Sequence, residues 1–207
     1  MKSIIIGITG GSSSGKTYLS NKLINKFEKN NINLIQMDSY YNDLKYLSME
    51  EREKNNFDQP NAFDFNLLLN HLKNLDNKGN VEIPIYDYKT HTRSNKTNKI
   101  IEKPILIIEG IFALYNKKIR DLMNLTIYID IENNIRKERR IKRDTIQRNR
   151  TEDSIIYQYE NIVEPMYKKY ISPMKNKSNL ILKEISEKSN EFNKLVNYIN
   201  KIISKNE

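Results

Sequence analysis

The chain has 207 residues, enough for one domain to bury about 70% of its unfolded surface, and it contains no cysteine, which excludes a disulfide framework and any cysteine-based zinc site. With 35 Lys and Arg against 26 Asp and Glu the formal net charge is +9, which favours polyanionic partners such as nucleotide or nucleic acid, although a bias towards Asn, Lys and Ile along the whole chain accounts for part of the excess. No run approaches the ~20 apolar residues of a membrane span, and the opening MKSIIIGITGGSSSGKT is broken by glycine, so a soluble, cytoplasmic, one-domain protein over residues 1–207 is expected.

In chain order, the apolar run at residues 3–8 predicts a strand. A glycine-rich turn follows, then a helix over 16–30 with Leu19, Leu23, Ile24 and Phe27 on one face. Further strands are expected at 32–37, 104–108 and 125–131, and helices at 64–75 and from 133 onward. Ile- and Leu-rich runs alternating with helices predict an α/β fold whose mostly parallel sheet is covered on both faces. Residues 81–88 alternate and, with Ile100 and Ile101 after the polar stretch 93–98, predict a small β-hairpin inserted over about 81–101 at the ligand edge. The charged stretch 133–170 reads as two helices broken near 149–153, with Thr151 capping the second, and forms a mobile basic lid. A last strand over 175–182 and a helix over 187–203 complete the chain.

The chemistry centres on Gly10 to Thr17, GGSSSGKT, which has the phosphate-loop spacing G-x-x-x-x-G-K-[ST] between a predicted strand and a predicted helix. Backbone N–H groups of Gly10, Gly11, Ser12, Ser13, Ser14 and Gly15 would turn around the phosphates of a nucleoside triphosphate at the helix N-terminus. Lys16 would reach the terminal phosphates, Thr17 offers a magnesium ligand, and Tyr18 adjoins the set. Asp38 and Glu109 each follow a strand at the carboxyl edge of the sheet, where open α/β folds bind ligands. Beside a phosphate loop such carboxylates suit magnesium ligation and acceptance of a proton from the acceptor hydroxyl. Between residues 136 and 150 lie Arg136, Arg139, Arg140, Arg143, Arg148 and Arg150, a cluster suited to charge developing on a transferred phosphoryl group. His71, within the predicted helix 64–75, reads as structural; His91, in the polar YDYKTHTR, reads as a candidate contact. An N-K-x-D base-reading motif is absent, and Asp76 to Gly79 fits D-x-x-G without following an apolar strand, so a guanine-nucleotide switch is excluded.

From Ile4 to about Ile181 the sequence resembles the uridine kinase (uridine-cytidine kinase) family of P-loop kinases. The segments that carry the resemblance are GGSSSGKT, MDSYY at 37–41, NFDQPNAFD at 56–64, YDYKTHTR at 86–93, IEGIF at 108–112, RRIKRDTIQRNR at 139–150, and Gln158, Pro165 and Pro173. The resemblance implies ATP or GTP as donor with Mg2+, and uridine or cytidine as acceptor. By the same resemblance Asp38 is the base for the nucleoside 5′-hydroxyl, with Thr17 and Glu109 in the magnesium environment beside it. Asp58 and Arg140 would hold the ribose, Tyr86 and His91 the pyrimidine, and Tyr41, Arg150 and Gln158 would complete the acceptor pocket. Arg143 and Arg148 would face the phosphates, and the assembly would be a homotetramer. The chain departs from the family pattern at Asn149, where a glycine is frequent, at Asp130-Ile131-Glu132, and at Tyr18. Two other readings stay open at this point: a related kinase of the phosphoribulokinase or pantothenate kinase type, and a nucleic-acid-binding P-loop protein. Nucleic acid and membrane are not expected partners.

Overall fold

The computed structural model describes residues 3–206, so the outermost ends of the expected 1–207 domain lie outside the described residues. Five strands form one parallel sheet: β1 (Ile4–Gly10), β2 (Ile32–Gln36), β5 (Ile105–Glu109), β6 (Leu125–Ile129) and β7 (Leu180–Leu182), in the order β2-β5-β1-β6-β7. The phosphate-loop strand is thus central, flanked by the strands that end near Glu109 and Asp130. Because successive side chains alternate across a strand, Ile6, Ile8, Ile105 and Ile107 enter one core and Ile5, Ile35, Leu106 and Ile108 the other. The first core is closed by Leu19 and Leu23 of α1 (Lys16–Lys26) and by Phe192, Leu195 and Ile199 of the C-terminal helix (Asn190–Asn206).

The second core is closed by Leu68, Leu72 and Leu75 of α3 (Phe65–Lys78), which follows the short α2 (Met49–Glu53), and by the hairpin of β3 (Asn80–Asp87) and β4 (Thr92–Ile101). Asp64 caps α3 by accepting from Leu67 N at 2.9 Å, and Gly79 ends it at φ 71°, so the D-x-x-G match is a helix terminus. The polar stretch 93–98, expected as a connection, is instead the body of β4. Its mostly exposed side chains do not oppose this, because backbone pairing alone forms the antiparallel ribbon.

After the short α4 (Lys117–Arg120) and β6, helices α5 (Asn133–Arg148) and α6 (Glu152–Gln158) form the basic hairpin, with Thr151 capping α6 as expected. Asn149 takes φ 51° and ψ 40° at the C-cap of α5, a left-handed geometry that Asn tolerates better than most residues. Two π-helical stretches (Tyr159–Val163 and Tyr167–Ile171) flank α7 (Glu164–Met166) and return the chain to the body. The last strand is shorter than the expected 175–182: Pro173 opens a 3₁₀ turn (Ser172–Lys177), within which Lys175 pairs with Asp130, and only Leu180–Leu182 joins the sheet. The final helix, α8, is Asn190–Asn206 rather than 187–203, since Ser189 Oγ accepts from Phe192 N at 3.1 Å and sets its start.

Asp64 also joins the hairpin to α3, accepting from Arg93 Nη2 at 3.2 Å. Asp64→Ala removes both the cap and this ion pair and should lower stability to urea by about 1–2 kcal/mol, whereas Asp64→Asn, an equally good cap, should cost less than about 1 kcal/mol because the half-exposed ion pair is worth little. Equal losses in the two variants would remove the cap from this explanation.

Candidate active site

The phosphate loop is pressed from two sides. At Gly15, where φ is 99°, an added Cβ would lie 2.3 Å from Ile185 Cδ1; at Gly11 it would lie 2.6 Å from Arg136 Nη1. Lys16 is 9% exposed, and its ammonium donates to the carbonyls of Gly10 at 3.1 Å and Gly11 at 2.9 Å. Burial lowers its pKa from the usual lysine value, against the opposing charges of Glu109 and Asp38. The hydroxyls of Ser13 and Ser14 are buried without a partner among the described residues. A buried cation, orphan donors and the open N-terminus of α1 form a cradle that fits phosphate groups. Beside it lies a cavity of about 260 Å³ lined by Ser13, Gly15, Lys16, Thr17, Tyr18, Arg139 and Arg143. A larger hollow of about 340 Å³ sits at the opposite end of the sheet, lined by Ser3, Ile5, Leu72, Asp76 and Asn124, away from the phosphate loop.

Parallel pairing puts Gln36 of β2 opposite Glu109 of β5, so Asp38, two residues after β2, reaches the same sheet edge as Glu109. Thr17 Oγ1 donates to Glu109 Oε1 at 2.9 Å, and Gln36 Nε2 donates to the same oxygen at 3.3 Å. Burial, then the charge of Glu109, raises the Asp38 pKa above the usual carboxylate range, with Lys16 opposing. A hydroxyl and two carboxylates beside a phosphate cradle are hard oxygen donors, so the residues fit a magnesium ion.

On the acceptor side the aromatic rings form one connected set. Tyr41 packs against Phe57 at 5.2 Å, Phe63 at 4.4 Å and Tyr86 at 5.1 Å, and His91 stacks on Phe57 at 5.0 Å with planes 20° apart. Tyr86 is buried and its hydroxyl has no partner among the described residues. Arg93 fixes the hairpin over this set, its Nε donating to Tyr41 O at 2.9 Å. Asp58 is half-buried, and burial raises its pKa against the opposing charges of Arg140, Lys16, Arg143 and Arg148.

The lid arginines divide by environment. Arg136 is 1% exposed, donates through Nε to Ile131 O at 3.0 Å, pairs with Glu164 at 3.1 Å and lies 3.8 Å from the centre of the Tyr167 ring. It is therefore a brace beneath the loop, and the start of α5 belongs to the body rather than to a mobile lid. Arg140 Nη1 donates to Ser12 Oγ at 2.8 Å and Nη2 to Gln158 Oε1 at 3.0 Å; Arg150 Nη1 donates to that same oxygen at 2.7 Å. Arg143 Nε donates to Asp144 Oδ1 at 2.7 Å, and Arg148 Nε lies 3.6 Å from it. His71, read as structural, accepts from or donates to the Tyr40 hydroxyl at 3.1 Å and lies outside these groups.

Three neighbours of the site were not singled out in the sequence: Phe57, Tyr88 and Asp144. Each lies inside a quoted segment, and an aspartate within RRIKRDTIQRNR is the obvious counter-ion in that arginine run. Tyr88 and Phe57 gave no signal beyond their neighbours.

A model of the phosphoribulokinase / uridine kinase family matches residues 5–191. The chain is 43% identical over 204 residues to a uridine kinase of Clostridium tetani, covering 99% of this chain and 98% of that one. It is 46% identical over 183 residues to a uridine kinase of Streptococcus uberis, covering 88% and 87%. Among solved structures, phosphoribulokinase from Rhodobacter spheroides superposes with a TM-score of 0.61 at 16% identity, covering 89% of this chain and 73% of that one. D-glycerate 3-kinase from Cryptococcus neoformans gives 0.61 at 16%, covering 82% and 79%. These two likenesses are of fold alone. With the match running through sheet, hairpin and lid, the chain belongs to the phosphoribulokinase / uridine kinase family of P-loop kinases.

Proposed function

We propose that the protein transfers the γ-phosphoryl group of ATP, or of GTP, to the 5′-hydroxyl of uridine or cytidine, giving UMP or CMP. The observation that carries this reading is the connected ring set of Tyr41, Phe57, Tyr86 and His91 across from the phosphate loop. A planar base has a use for stacked rings and for the unpartnered Tyr86 hydroxyl; the phosphate of a sugar-phosphate acceptor would need cations there. The uridine kinases aligned over nearly the whole chain support the same acceptor. Two arginines of the basic hairpin, Arg136 and Arg140, are buried and serve the interior of the site, which favours nucleotide over nucleic acid as the polyanion served.

In the reaction, the triphosphate lies along the loop with Lys16 drawn from the Gly10 and Gly11 carbonyls to its terminal phosphates. Asp38 accepts the proton of the 5′-hydroxyl as that oxygen bonds to the γ-phosphorus and the bond to the departing ADP oxygen breaks. Its pKa, raised by burial and by the charge of Glu109, makes it a better base than an ordinary carboxylate. Thr17, Glu109 and Asp38 are the residues that would hold Mg2+, whose contribution is charge neutralisation at the β- and γ-phosphates. Arg143 and Arg148 offset charge spreading over the equatorial oxygens. Asp58 accepts from the ribose hydroxyls, the charge of Arg140 favours its ionised form, and Gln158, held by Arg140 and Arg150, completes the pocket with Tyr41.

Asp38→Asn keeps the shape and removes the base, so kcat should fall at least about 100-fold with a smaller change in nucleoside affinity. Steady-state rates with ATP and uridine check this, and near-normal turnover would take the base role from Asp38. For the acceptor, an ionised carboxylate at Asp58 suits hydroxyl donors, and a lost hydrogen bond to a charged group costs about 1.5–3 kcal/mol, so 2′-deoxyuridine should be at least about 10-fold poorer than uridine in kcat/KM. Asp58→Ala should shrink that preference. Equal use of both nucleosides by the native enzyme would contradict the ribose contact.

A further inference from the structure

Tyr88 stands outside every role assigned so far. It follows β3 directly, at the turn leading to His91 with its left-handed φ of 53°, and its ring is 56% exposed. The hydroxyl end nevertheless turns inward and donates to Asp38 Oδ2 at 3.2 Å. The ring rests edge-on against Tyr86 at 5.5 Å, and Tyr86 lies in the ring set that faces the acceptor.

A carboxylate poised beside a triphosphate does not distinguish a sugar hydroxyl from water. Attack by water would join its oxygen to the γ-phosphorus, pass its proton to Asp38 and break the bond to the ADP oxygen, spending ATP as ADP and phosphate. We propose that Tyr88 is a specificity residue against this reaction: its hydroxyl occupies the Asp38 oxygen and withholds the base from water until an acceptor displaces it. The displacing group must bring a hydroxyl donor to Oδ2 and a planar part to Tyr86, the ring on which Tyr88 is seated. A nucleoside does both at once, whereas water brings a donor but no planar part to seat on Tyr86. Only the identity of that displacing acceptor rests on the nucleoside-kinase reading; the shielding of Asp38 rests on the contact itself.

The test is phosphate release from ATP with Mg2+ and no nucleoside, measured for the native enzyme, Tyr88→Phe, Asp38→Asn and the double variant. The same preparations are assayed for UMP formation with uridine. Removing the phenol opens Oδ2 of Asp38 to water, so Tyr88→Phe should release phosphate at least about fivefold faster than the native enzyme. Replacing tyrosine by phenylalanine on a half-exposed ring leaves the packing in place. In the Asp38→Asn background the same change should give no increase. Two results would overturn the proposal: no increase in Tyr88→Phe, or an equal increase without the Asp38 carboxylate, which would mean a loosened site and not an exposed base. Failure of the native enzyme to form UMP would refute the acceptor assignment, while the comparison of phosphate release would still decide the role of Tyr88.

Discussion

Four arginines converge on the carboxylate of Asp144, which has no solvent exposure. Arg143 Nε lies 2.7 Å from Oδ1 and Arg148 Nε 3.6 Å from it, while Arg140 Nε lies 3.5 Å and Arg150 Nη1 3.8 Å from Oδ2. Burial alone would raise the pKa of this carboxyl; the hydrogen bond from Arg143 and the charges of Arg143, Arg148 and Arg140 outweigh it and hold the pKa below the usual value. Asp144 is therefore ionised, and without it several cations would repel one another at the end of α5. Helical spacing supplies Arg140 and Arg148, one turn to either side. Arg150 is supplied by the left-handed turn at Asn149, after which its own N–H donates to the Asp144 carbonyl at 3.3 Å. The Asn at this departure from the family pattern thus keeps the turn on which the cluster depends.

The division of the carboxylate matches a division of labour. The Oδ1 side carries Arg143 and Arg148, whose charges act on Lys16 and Asp38 respectively; the Oδ2 side carries Arg140 and Arg150, which meet at Gln158. Both pairs of arginines are therefore oriented by one anion, and Arg140 extends the link to Ser12 of the phosphate loop. Arg136, although in the same run, is held instead by Glu164 and Tyr167 and supports Gly11 from below. At this end of the molecule Lys16, Arg136 and Arg140 are buried, while Arg139, Lys142 and Arg148 stay exposed.

Strand, loop and first helix were legible because the phosphate-loop spacing, the apolar run before it and the α1 periodicity agree. Asp38 and Glu109 were legible as residues at strand ends, since a parallel sheet carries such positions to one edge. The second strand of the hairpin was not: residues 93–98 are polar, and backbone pairing with β3 leaves no mark in side-chain pattern. The last strand was overextended because the 3₁₀ turn at Pro173 and the Lys175–Asp130 pair depend on contacts far apart in sequence. Asp144 and Tyr88 were passed over for a related reason. The meaning of one carboxylate among arginines, or of one phenol in a turn, comes from what the fold sets opposite it, and composition reports neither.

The central claim is that the ring set of Tyr41, Phe57, Tyr86 and His91, with Asp58, takes a nucleoside by its base and ribose, and not a sugar phosphate by its charge. The most direct measurement supplies ATP and Mg2+ with uridine, cytidine, ribulose 5-phosphate and pantothenate in parallel and separates the products chromatographically. The account predicts that UMP or CMP forms in step with ADP and that the other two acceptors yield no phosphorylated product. Phosphorylation of ribulose 5-phosphate or pantothenate, with the nucleosides refused, would contradict it.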